Sequence, residues 1–134
     1  MVSTAPNFTK LKGIENLTDI DIALSKSLHC VAADDSVKRV CIDLVSDVLL
    51  QHHAVITRKW LSSLLVNLKA KRFTTLAVVD PTMHQSEEAQ ALISMFDSEI
   101  SIAENNGVRS LKIRKLHNKK YLTDEFTFSK TTVG

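Results

Sequence analysis

Two carboxylates close apolar stretches of this sequence, and their placement is the first feature with chemical content. Asp43 ends VKRVCID and Asp80 ends FTTLAVVD. In open parallel sheets, ligands gather outside the carboxyl ends of the strands. An aspartate there holds a magnesium ion, directly or through water, beside a nucleotide phosphate. Strand-then-aspartate is also how an ordinary turn or helix cap is written, so both readings stand at Asp43 and Asp80. A phosphate loop would decide for nucleotide chemistry. That loop, GxxxxGK followed by Ser or Thr, needs glycine so that backbone N–H groups can close around the phosphates. The three glycines are Gly13, Gly107 and Gly134, and none is followed by lysine. No catalytic residue is assigned to the chain alone, and no cofactor.

Other reactive side chains fall into less specific patterns. His52 and His53, with His84, supply imidazoles, but adjacent histidines on a helix point about 100° apart and do not readily chelate one ion. They read as polar residues at a helix end; His29 and His117 are isolated, and no metal site is assigned. Cys30 and Cys41 form neither a CxxC pair nor a disulfide framework, and read as buried, reduced thiols. Ser46, Ser62 and Ser63 have no partner histidine at a recognisable spacing, which leaves hydrolase chemistry unsupported. The basic run Arg109, Lys112, Arg114, Lys115, Lys119 and Lys120 reads first as a solvated edge strand protected against aggregation. Contact with phosphate, nucleotide or nucleic acid is the competing reading. Tyr121 is the one aromatic close downstream, so a stacking platform is not evident.

A chain of 134 residues, 44% hydrophobic and 24% charged, is expected to form one globular α/β domain around one core. A net charge of +2 is too small by itself to demand a polyanionic partner. No apolar run approaches the roughly 20 residues of a membrane span. The N-terminal MVSTAPNFTK has no basic leader or apolar core of a secretory signal. A cytoplasmic location without membrane contact is expected.

The elements that must position these residues follow from periodicity. Residues 1–7 read as a loose tail, and the alternation of residues 8–12 predicts a half-buried strand. Thr18 and Asp21 resemble a capping box for a helix with Leu17, Ile20, Leu24 and Leu28 on one face, ending near His29. Residues 32–36 read as polar connecting chain. Val40, Cys41 and Ile42 are apolar without alternation, as in a parallel strand covered on both faces. Ser46 and Asp47 are placed to cap a short helix through Leu50, with His52 and His53 at its end. A long helix follows over 57–71, with Ile56, Trp60, Leu61, Leu64, Leu65 and Leu68 as its buried stripe. Trp60 reads as core or as an interface anchor. Residues 73–79 form a second buried strand, stopped at Asp80-Pro81. Ser86 then caps a helix with Glu87 and Glu88 in its first turn and Ala89, Leu92, Ile93 and Phe96 on its inner face. Residues 99–104, 108–116 and 125–129 alternate as strands, and Asn105-Asn106-Gly107 is a hairpin signal. Residues 8–96 thus alternate β and α, and 97–130 form an antiparallel meander. The order predicts a mainly parallel sheet flanked by helices and extended by an antiparallel edge.

From VKRVCID to residue 130 the sequence resembles the second half of the KaiC-like branch of RecA-type ATPases. In that branch a Walker B strand is followed by a Ser-containing turn, a short helix, a long helix and a further buried strand. A helix then leads to a strand opening like FDSEI (residues 96–100), and a closing hairpin carries a basic motif like LKIRKLH (residues 111–117). The resemblance implies a truncated RecA-like fold with Asp43 at the Walker B position, and Asp43, Ser46 and Asp80 as relic nucleotide- and magnesium-binding residues. It implies that Lys115 matches the lysine pointed at a neighbouring subunit's nucleotide, with His117 where the family has arginine. Strand alternation independently places Lys115 in line with Leu111 and Ile113, so its amine extends past the apolar stripe. The strand, P-loop and helix that open a RecA core, and the acidic pair that supplies the base, are expected upstream of residue 1. The chain is therefore expected to be a non-catalytic module acting through assembly or regulation. The alternative is the C-terminal fragment of an active ATPase whose P-loop half, with ATP and magnesium, is missing or supplied by another chain. Self-association or that missing half is the expected partner, and nucleic acid on the basic hairpin is a weaker alternative.

Without a phosphate cradle, the purified chain should hydrolyse no ATP above background in the presence of magnesium. Turnover that copurifies with the chain and disappears in Asp43→Ala would contradict this expectation.

Overall fold

The computed structural model describes residues 8–31, 36–117 and 119–128. The tail at 1–7, most of the connector at 32–36, and the end of the last expected strand lie outside them. The described chain is α/β and forms two compact units, the first running to Ala91 and the second starting at Leu92.

In the first unit, α1 (Leu17–Val31) leads to β1 (Lys38–Ile42), α2 (Val45–Ala70) and β2 (Phe73–Ala77). Asn16, not Thr18, caps α1: its Oδ1 accepts from the Thr18 N–H at 3.0 Å. Asp21 is thereby released from a capping box, and its carboxylate accepts instead from Trp60 Nε1 at 2.9 Å, tying α1 to α2. Trp60 is itself core, 7% exposed. The alternating residues 8–12 pair with no strand; Phe8 is 58% exposed. Two apolar side chains in five residues offer too little burial to offset ordering a strand.

Helix α2 is two helices joined at a break. His53 has φ 65° and ψ 175°, a region that only glycine enters without strain. The short helix does end at His52 and His53, where the sequence places its end. Thr57, fully buried, donates its hydroxyl to His53 O at 2.7 Å and to Val48 O at 3.3 Å. The hydroxyl thus ties the first turn after the break to carbonyls at and before it. Thr57, Trp60, Leu61, Leu64 and Leu68 then form the buried stripe. Ile56, expected in that stripe, is 53% exposed, because Thr57 occupies the inward position. At the other end, Ser46 and Asp47 do not cap the helix; Leu44 precedes it without a side-chain cap bond.

Strands β1 and β2 pair in parallel, with Arg39 opposite Thr74 and Cys41 opposite Leu76. Both were expected to be covered on two faces, and neither is. Their burial alternates: Ile42 is buried, while Cys41 and Leu76 on the other face are exposed. α2 packs against β2, and the apolar run at Val40 to Ile42 reads as doubly buried only because cysteine counts as apolar. Cys30 is exposed as well, so the expectation of two buried thiols fails. Asp80 then caps a single 3-10 turn (Pro81–Met83) before α3 (Ser86–Ile93), within which the unit boundary falls.

The second unit contains β3 (Glu99–Asn105), β4 (Val108–Lys115) and β5 (Phe126–Phe128) in one antiparallel sheet of that order. Asn106 (φ 53°) and Gly107 (φ 78°) make the two-residue turn that the Asn-Asn-Gly signal predicts. The described strands therefore pair as two parallel and three antiparallel members of separate sheets, instead of one mainly parallel sheet. No helix among the described residues is long and apolar enough to cross a membrane.

Replacing His53 by glycine relieves a strained conformation worth about 1–3 kcal/mol, offset in part by the added freedom of the unfolded chain. Urea unfolding of His53→Gly should show a net gain of about 1 kcal/mol; a loss of stability would mean that the imidazole compensates the strain.

Candidate functional site

The parallel pair brings Asp80 to the strand end that is followed by Asp43 and Ser46, the serine 34 residues earlier in sequence. Val78 N–H donates to Ile42 O at 2.9 Å, which sets the ends of β1 and β2 side by side. Asp43 follows one strand end and Asp80 the other. Ser46 lies in the first turn of α2, and its hydroxyl accepts from the Asp80 N–H at 2.9 Å. The serine is thus a brace between the two strand-end loops, a role its expected capping function did not include.

The two carboxylates differ in what they already do. Asp43 is exposed. Asp80 Oδ1 accepts from Thr82 Oγ1 at 2.6 Å and from Thr82 N–H at 3.0 Å. These bonds favour the charged form, the hydroxyl most, then the amide; slight desolvation opposes them and the neighbouring His84 adds a small pull downward. The Asp80 carboxyl is therefore held below the usual aspartate range. One of its oxygens is committed to the turn, so Asp43 is the residue here better placed to face an ion or phosphate. His84 contributes a buried Nε2 without a hydrogen-bond partner among the described residues, a feature that its sequence neighbours did not signal. No group of three or more His, Cys, Asp or Glu side chains is arranged to hold a metal among the described residues.

Lys115 belongs to the second unit. Its ammonium is exposed and donates to Phe96 O at 2.6 Å, at the chain turn after α3. The amine does emerge past the apolar stripe, and it rests on a backbone carbonyl instead of a carboxylate. Glu99 stands opposite it in the strand register. Nearby, the His117 backbone N–H donates to Ser98 Oγ at 3.3 Å, so the FDSEI and LKIRKLH segments are joined at their ends.

Comparison of the chain with protein-family models and with curated proteins gives no match to either.

The lowered Asp80 pKa has a definite sign in the pH dependence. A depressed carboxyl adds stability that is present above the unfolded-state pKa and is lost as pH falls through the folded one. NMR titration should place the Asp80 midpoint below that of an unstructured aspartate, and Thr82→Ala should raise it. A midpoint unmoved by Thr82→Ala would remove the hydroxyl as the main cause.

Proposed function

We propose that the chain is a RecA/KaiC-like module that is non-catalytic by itself and works through assembly with another polypeptide surface. The observation that carries this reading is the unfinished state of the parallel pair. Two parallel strands, with one face bearing Arg39, Cys41, Thr74, Leu76 and Val78, are too few to be self-sufficient. Leu76 is 61% exposed and Val78 47%. Parallel sheets are ordinarily buried on both faces, and an open strand edge is a template for pairing with another chain. A further strand and a covering layer are what assembly would add.

In this reading Asp43 is the Walker B relic, braced by the Ser46–Asp80 contact. Lys115 and His117 stand where the family reaches across a subunit boundary. The carboxylate is present and the phosphate cradle is not, which suits regulation or scaffolding better than turnover. The same open edge also suits a P-loop half supplied by a second chain. That half would hold ATP and magnesium, with Asp43 the residue of this chain nearest the ion.

Sedimentation velocity over a concentration series should reveal self-association, weakened about tenfold or more by Leu76→Lys, since an edge or face lysine blocks strand and sheet contacts. A chain that stays monomeric throughout, or an association indifferent to Leu76→Lys, would overturn the proposal for a second copy. A P-loop half that restores no ATPase activity on mixing would overturn it for the other partner.

A further inference from the structure

The antiparallel sheet has two unlike faces, and strand register decides which residues share them. Ile100 stands opposite Ile113, Ile102 opposite Leu111, Leu111 opposite Phe126, and Arg109 opposite both Glu104 and Phe128. Residues directly opposite in a sheet lie on one face. One face therefore gathers Ile100, Ile102, Leu111, Ile113, Phe126 and Phe128, with Arg109 and its partner Glu104 at the hairpin end. The other carries Ser101, Ala103, Ser110 and Lys112. It is the apolar face that stands open: Ile102 is 64% exposed, Ile100 53% and Phe126 42%.

Basic residues border this face. Residues 105–123 carry six lysines and arginines and no aspartate or glutamate. Arg109 lies on the apolar face, Lys112 belongs to the opposite one, and Lys115, Lys119 and Lys120 follow at the far end of β4. The chain after β4 does not leave the sheet, because Tyr121 Oη donates to Arg114 O at 3.1 Å. That bond holds Tyr121, next in sequence to Lys119 and Lys120, at the Arg114 end of the strand. Sequence order hid the platform, since Phe126 and Phe128 lie well past the basic run and reach it only through the β4–β5 register.

We infer that this face and its basic rim bind single-stranded nucleic acid. Phe126 and Phe128 offer ring faces on which unpaired bases stack, and stacking of this kind tolerates any sequence. Arg109 lies next to Phe128, while Lys115, Lys119 and Lys120 line the end where a backbone would leave. The existing ion pair, Arg109 Nε to Glu104 Oε2 at 3.3 Å, is half exposed on both sides and therefore easily exchanged for a phosphate. A lipid surface fits less well. Pressing this face into a bilayer would take Glu104, Arg109 and the open strand edges out of water. The inference rests on register and charge alone and holds whether or not the nucleotide reading of the first unit does.

The test is fluorescence anisotropy of a labelled oligothymidylate of about 20 nucleotides titrated with the full chain. With about four phosphates neutralised, raising salt from about 50 to about 200 mM should weaken binding about fiftyfold. Phe126→Leu keeps an apolar side chain but removes the ring, and should weaken binding about tenfold with the circular dichroism spectrum unchanged. Lys119→Gln with Lys120→Gln should weaken it too and flatten the salt dependence. Absence of any anisotropy change would overturn the inference. So would equal binding of a duplex of the same length, binding unaffected by Phe126→Leu, or retention on phosphatidylserine vesicles but not on the oligonucleotide.

Discussion

The first unit depends on one buried hydroxyl. Thr57 lies one turn after the break in α2, and its hydroxyl reaches two carbonyls, His53 O at 2.7 Å and Val48 O at 3.3 Å. The break lets the helix change direction, so that Val45, Val48 and Leu49 before it and Trp60, Leu61, Leu64 and Leu68 after it are all buried. A straight helix carrying both stripes would keep them on a single line, and the offset at His53 relaxes that constraint. Valine in place of Thr57 would have nearly the same shape and none of the bonding, at a cost of about 1 kcal/mol for the lost hydroxyl bond. Trp60 extends this core to α1 through Asp21, so the same helix anchors the sheet on one side and the N-terminal helix on the other.

Much of this was legible in the residues. Element types held wherever a local rule had no competitor: Asn106-Gly107 needs positive φ, and its hairpin formed; Asp80-Pro81 stopped a strand; paired histidines marked the helix break. Readings failed where a nearby residue offered a better bond or a better fit. Asn16 outcompeted Thr18 for the cap, and Thr57 displaced Ile56 from the inward position. Ser46 found the Asp80 amide instead of its own helix. Burial on two faces could not be read at all, because it depends on how many layers the fold supplies, and that number is not local to any strand. The same limit applies to the platform of Phe126, Phe128 and Arg109, which exists only once the register is known.

Of the candidate site, the sequence marked both strand-end aspartates but did not distinguish their states. Asp80 is turned inward to its own turn by Thr82, two residues on, a spacing common to many capped turns. Asp43 has no such neighbour in the hydrogen bonds described. Two similar strand-then-aspartate words thus carry different chemistry because of the residue types that follow them: leucine, valine and serine after one, proline and threonine after the other.

The exposed face of the parallel pair has a further property in the thiol of Cys41, which lies opposite Leu76 in the register. An accessible thiol in the middle of an apolar sheet face makes occupancy of that face chemically visible. Alkylation proceeds at a rate set by access and by the thiolate fraction. A covering layer would therefore protect Cys41 while leaving Cys30, on α1, to react as an internal clock. In an oxidising medium the same exposure turns into a liability, since an accessible thiol on an open face is open to oxidation.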